Sequence, residues 1–83
     1  MKIYLLYGIG GVKAYSSRNQ AVKNAALYIS KQKNFDIKGL GEAFQREDYE
    51  KCVELWNNFV TLYCLSSLYV FRISEEDIDS KFI

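Results

Sequence analysis

The spacing of hydrophobic and polar residues changes character along the chain, and each change marks an element. Lys2 to Tyr7 is a run of strand formers with no helical spacing. Gly8-Ile9-Gly10-Gly11 interrupts it. Glycine supplies positive φ at little cost, so these four residues predict a tight or bulged hairpin turn, with Val12 to Tyr15 as the returning strand. After Ser16 the period becomes helical. Ser17 with Gln20 three residues on has the form of a capping box, and the helix is predicted from Arg18 to about Gln32. Arg18, Val22, Ala25, Ala26 and Ile29 fall on one side of it. Gln20, Lys23, Asn24, Leu27 and Lys31 fall on the other, where Leu27 is the apolar exception.

Lys33 to Phe35 is predicted as a loop. Asp36 can cap a short helical segment in which Ile37, Leu40 and Phe44 share a face, weakened by Gly39 and Gly41. Asp48 opens the strongest amphipathic pattern. Tyr49, Cys52, Val53, Trp56, Val60 and Tyr63 form one stripe, with Glu50, Glu54, Asn57, Asn58 and Thr61 opposite. Asp48 and Glu50 also suit the positive end of the helix dipole. The stretch from Ala43 to Trp56 resembles the turn and second helix of a tetratricopeptide unit, but no second copy follows at the repeat period, which leaves a generic helical hairpin. Cys64 to Ser67 is predicted as a turn and Leu68 to Ile73 as a third strand, dense in β-branched and aromatic residues. Residues 74–83 read as an acidic, exposed tail.

The order β-β-α-α-α-β predicts a single α+β domain over residues 1–83. Its architecture is a two-layer sandwich, with a three-stranded antiparallel sheet in the order 2-1-3 and helices on one face. Helices on one face leave the other open. Side chains alternate across a sheet, and each strand holds one charged residue. Turning those charges outward places Lys2, Tyr4, Leu6, Lys13, Tyr15, Leu68, Val70 and Arg72 on the open face. That face is apolar and aromatic with a basic border. A patch of this kind marks a contact surface for a partner, a second copy or a folded-back tail.

Charge sharpens the picture. Residues 1–40 hold seven basic side chains and one acid, net +6, while residues 41–83 hold four basic and nine acidic ones, net −5. The asymmetry suggests a charged partner or head-to-tail surface. Arg18, Lys23, Leu27 and Lys31 on the first helix join the candidate partner-binding set. Tyrosines interleaved with basic residues on a sheet also suit stacked bases, so a nucleic-acid-binding module is the alternative reading.

Other chemistries find little footing. There is no histidine, the commonest general base and metal ligand. Cys52 and Cys64 are too few for a disulfide framework or a four-ligand zinc site and are expected as reduced thiols. Gly8 to Lys13 lacks the Gly-Lys-Ser/Thr end of a phosphate loop, and no helix opens on these glycines. The carboxylate pairs Glu47/Asp48 and Glu75/Glu76/Asp77 lie on a helix start and in the tail. No catalytic residue, metal or cofactor is therefore expected. The apolar run after Lys2 has no cleavage site behind it, and Asn57 to Phe71 is too short and polar to span a bilayer of about 30 Å. The expected location is cytoplasmic.

Three stretches carry a pattern-level resemblance: Met1 to Tyr7, Tyr15 to Ala21 with its entry into a helix, and the closing Tyr69 to Glu76. With these the chain resembles the short accessory proteins of phages and other mobile elements, among them anti-CRISPR and other anti-defence inhibitors. The resemblance implies a small non-catalytic protein that inhibits or modulates a host protein or ribonucleoprotein complex by occupying its surface. It assigns no individual residue a role. A homodimeric structural protein is a third expectation.

Overall fold

The computed structural model describes residues 1–8, 11–32, 35–63 and 69–78. Its elements are β1 (Lys2–Gly8), β2 (Gly11–Tyr15), α1 (Arg18–Ser30), α2 (Leu40–Gln45), α3 (Tyr49–Leu62) and β3 (Arg72–Asp77). The sheet is antiparallel in the order β2-β1-β3, as the element pattern predicts. β1 pairs with β2 from Tyr4↔Tyr15 to Gly8↔Gly11. It pairs with β3 from Lys2↔Asp77 to Tyr7↔Arg72. The predicted turns at Ile9–Gly10 and Cys64–Ser67, and residues 79–83 of the predicted tail, lie outside the described residues.

α1 starts where expected. Ser17 is extended and its hydroxyl accepts from the Gln20 N–H at 3.2 Å. The return half of the capping box is absent, because the Gln20 side chain is engaged with the Ser16 hydroxyl at 3.0 Å. Asp48 caps α3 in the same way, accepting from the Lys51 N–H. Asp36 does not cap α2. That helix begins at Leu40 behind Gly39, whose φ of 86° a side-chain-bearing residue rarely adopts.

The core forms where α1 lies on the sheet and α3 on α1. Leu6 meets Ala21, Ala25 and Ile29 of α1, with Trp56, Val60 and Phe71. Trp56 is 1% exposed. Burying a side chain of this size contributes about 1.5–3 kcal/mol or more. Small residues let the three helices approach: Ala26, Ala43 and Cys52 form a second buried cluster.

Two expectations are corrected. β3 is not Leu68–Ile73. It starts at Arg72, and Ser74 to Asp77 of the supposed tail are strand. The apolar residues before it serve the helices instead. Val70 is half-buried against the core and Phe71 is buried. The backbone on either side of Val70 is held by α3: the Trp56 Nε1 donates to the Tyr69 carbonyl at 2.7 Å, and Asn57 exchanges two 2.9 Å bonds with the Phe71 backbone. The acids then run beside β1, where Lys2 meets Glu75 at 3.4 Å and the N-terminal amine meets Asp77 at 3.6 Å.

The second correction concerns the faces of the sheet. Leu6 is 7% exposed and packs under α1, with Tyr4, Tyr15 and Ile73 around it. The side carrying Tyr4, Leu6, Lys13 and Tyr15 is therefore the helix side, not the open one. Charge misleads because Lys2 and Lys13 stay exposed although they lie on the covered side. Arg72, the first residue of β3, pairs with Tyr7 and lies with it and Val12 on the side away from the helices, the one charged member of the expected set to do so.

Candidate functional site

Two surfaces result. The first is the sheet face away from the helices, carrying Ile3, Leu5, Tyr7, Val12 and Ala14, with Arg72, Ser74 and Glu76 from β3. Central-strand residues there are half-buried by their neighbours, whereas Val12 is 53% exposed. The Arg72 guanidinium lies 4.7 Å from the centre of the Tyr7 ring, a cation–π contact. The Ser74 hydroxyl donates to Glu76 at 2.8 Å. Among the described residues no element stands on this face.

The second is a cleft of about 420 Å³ between the hairpin and α1. It opens because α1 crosses the sheet over β1 and does not roof the full width of β2. Leu6 and Phe71 form its dry end, and Lys13 and Tyr15 of β2 form its floor. Asn24, Leu27, Tyr28 and Lys31 of α1 form its roof. Their spacing follows from helical geometry: Asn24, Leu27, Tyr28 and Lys31 lie within one 100° sector, at i, i+3, i+4 and i+7. Tyr28 is anchored by an edge-to-face contact with Phe71, 5.9 Å between ring centres. The Asn24 amide donates to the Gln20 carbonyl at 2.8 Å. Lys31 is the C-cap of α1, where a positive charge is favoured by the dipole.

The charge of the cleft has one sign. No carboxylate lines it among the described residues, and neither Lys13 nor Lys31 joins an ion pair among them. Leu27 and Tyr28 are 43% and 37% exposed beside these lysines. Hydrophobic area and unpaired cations thus share one concave surface.

No family model, no curated protein and no solved structure matches this chain. The site therefore rests on its own geometry.

Five of the residues singled out by sequence converge on the cleft, although by the wrong route: Lys13, Tyr15, Leu27 and Lys31, and Leu6, which is buried at its dry end. Tyr4 is half-buried on the helix side, its hydroxyl donating to Glu75 at 3.2 Å. Val70 is packed against the core, and Arg72 lies on the far face. Arg18 pairs with Glu50 and so ties α1 to α3. Lys23 is exposed on a different sector of α1. Leu68 lies outside the described residues. The sequence reading overlooked Tyr28 and the outer residues Ile3, Leu5, Tyr7, Val12 and Ala14. The signal for Tyr28 was its adjacency to Leu27, two large apolar residues side by side off the core stripe.

Cys52 is buried, and desolvation, with the Asp48 charge next, raises its thiol above the ordinary value of 9.0. It is a packing residue between the helices. Among the described residues no cluster of three or more potential metal ligands occurs, and no helix is long and apolar enough to cross a membrane.

Proposed function

We propose that this protein is a non-catalytic binding protein, an accessory factor of the phage or mobile-element kind. It occupies a surface of a host protein or ribonucleoprotein complex, such as a CRISPR–Cas effector, and so inhibits or modulates it. The observation that carries the protein-binding reading is the hairpin–α1 cleft. Aromatic and aliphatic side chains left exposed beside charges that lack partners are the composition of a protein contact surface. Water satisfies the lysines in the free protein, and a partner that brings carboxylates replaces it with charge-assisted bonds.

The test is affinity capture from the host with the tagged chain, followed by quantitative binding of the captured partner. The double variant Leu27→Ser/Lys31→Glu is expected to weaken that binding at least about tenfold while retaining the wild-type circular dichroism spectrum. Unchanged affinity removes the cleft from the contact surface.

Nucleic acid is a second reading, favoured by Lys13 and Lys31 lying beside Tyr15 and Tyr28. It no longer draws on bases stacked across an open sheet, since Tyr4 and Tyr15 face the helices. Binding to single-stranded RNA or DNA that falls steeply with salt supports it. No binding at roughly 50 mM salt eliminates it.

A further inference from the structure

We propose that the free edge of β2 takes up an extended, carboxylate-rich segment of the partner protein as a fourth strand, alongside the hairpin–α1 cleft. The inference rests on the protein-binding reading and specifies what enters the cleft. It starts from the backbone. Gly8 pairs with Gly11 across two intervening residues, and the closing pair of such a hairpin is hydrogen-bonded. By alternation, Lys13 and Tyr15 direct their backbone groups to β1. Val12 and Ala14 direct theirs to the free edge of the sheet. Both are exposed. An edge with its amides and carbonyls unspent is a template for another strand.

The two edges of this sheet are treated differently. β3 carries Glu75, Glu76 and Asp77, charges that deter pairing. β2 carries Lys13 alone, and on the cleft side. A strand added to β2 lies about 4.8 Å away and points every second side chain toward α1, roughly 6.7 Å apart. Those side chains lie beside Lys13 and face the open side of the cleft that Leu27 and Lys31 line. Apolar residues mixed with aspartate or glutamate complement that lining.

Three observations decide among occupants. An antiparallel pairing of two β2 edges that spends both Val12 and Ala14 sets Lys13 against Lys13 of the second copy, which like charges disfavour. The chain's own acidic strand already has its charge answered, Glu75 by Lys2 and the Tyr4 hydroxyl and Asp77 by the N-terminal amine. A DNA backbone offers phosphate acceptors and no donor for the edge carbonyls, and RNA adds only its 2′-hydroxyls, whereas a peptide offers donor and acceptor alternately at strand spacing.

The test uses the full chain and a phage-displayed library of random twelve-residue peptides, with the best peptides synthesised and titrated by fluorescence anisotropy. Expected are peptides with aspartate or glutamate at alternate positions. Val12→Pro removes one edge N–H and no internal bond, and is expected to weaken binding about tenfold, as is Lys13→Glu/Lys31→Glu. Val12→Thr keeps the N–H and is expected to bind as wild type. Should Val12→Pro alter the melting curve, hydrogen exchange decides on wild-type protein: bound peptide must slow exchange of the Val12 and Ala14 amides. No enriched peptide, enrichment without acids, or unslowed amides overturns the proposal. A solution mass twice that of the chain, returned to monomer by Val12→Pro, also overturns it and assigns the edge to a second copy. If the captured host partner binds Val12→Pro and Lys13→Glu/Lys31→Glu as tightly as wild type, strand addition falls while protein binding stands.

Discussion

Leu6 shows how much one side chain decides. It lies in the central strand, 7% exposed, against Ala25 and Ile29. Leu6→Ala is therefore expected to cost about 2–4 kcal/mol in urea denaturation, as a core residue does, and not to act as a contact-surface variant. Gly8 is constrained by space. A Cβ there would lie 2.5 Å from the Phe71 ring, so Gly8→Ala is expected to lower stability by about 1–3 kcal/mol in the same assay. Glu47 has the reverse problem. Its φ of 57° ends α2 in the left-handed region, and Glu47→Gly is expected to raise stability by up to about 1 kcal/mol. The Cys52 thiol is protected by burial. In a Cys64→Ser background its reaction with a disulfide reagent at neutral pH should be slow until denaturant opens the helices. Its raised pKa also sets a sign. Its contribution to stability is fully present below the unfolded value and is lost as pH rises through the higher folded value.

Among the elements, the helices were the more legible. Local signals define them: a serine or aspartate cap, then an apolar stripe at helical spacing, as in Ser17 with α1 and Asp48 with α3. β3 was not legible, because its pattern competes with a tertiary demand. Tyr69 and Phe71 have strand character, but α3 claims their backbone through Trp56 and Asn57. Asn57→Ala leaves the Phe71 N–H and carbonyl without those partners and is expected to destabilise by about 1–3 kcal/mol. The loss should appear in hydrogen exchange as faster opening of β3. Wild-type protection of β3 in that variant would show that the sheet, not α3, sets the strand's position.

At the scale of the molecule, the charge asymmetry resolves into internal neutralisation and a residue of unpaired cations. The acidic half meets the basic half twice, β3 along β1 and Glu50 at Arg18. Among the described residues without an ion pair, Lys13 and Lys31 share the cleft, while Lys23, Lys38, Arg46 and Arg72 lie outside it. The closing acids are thus structural. A chain ended after Ile73 keeps the apolar run Leu68–Ile73, yet loses most of β3 and its ladder with β1. It is expected to lose cooperative thermal unfolding by circular dichroism. Retention of a sharp transition would return residues 74–78 to the status of a tail.

Element order and the starts of α1 and α3 follow from local chemistry, and the strand sequence 2-1-3 from that order: caps, glycines and hydrophobic period act over a few residues and leave their mark there. The facing of the sheet and the register of β3 do not. Turning a strand over changes no local propensity, and the choice falls to the free energy of burying Leu6 under α1 instead of Leu5. Register is set by which partners are within reach, Asn57 for Phe71 and Lys2 for Glu75. The cleft belongs to the same class of property. Lys13, Leu27 and Lys31 are each visible in the chain as residues without a place in the core, but only the crossing of α1 over β1 brings them to one surface with Tyr15.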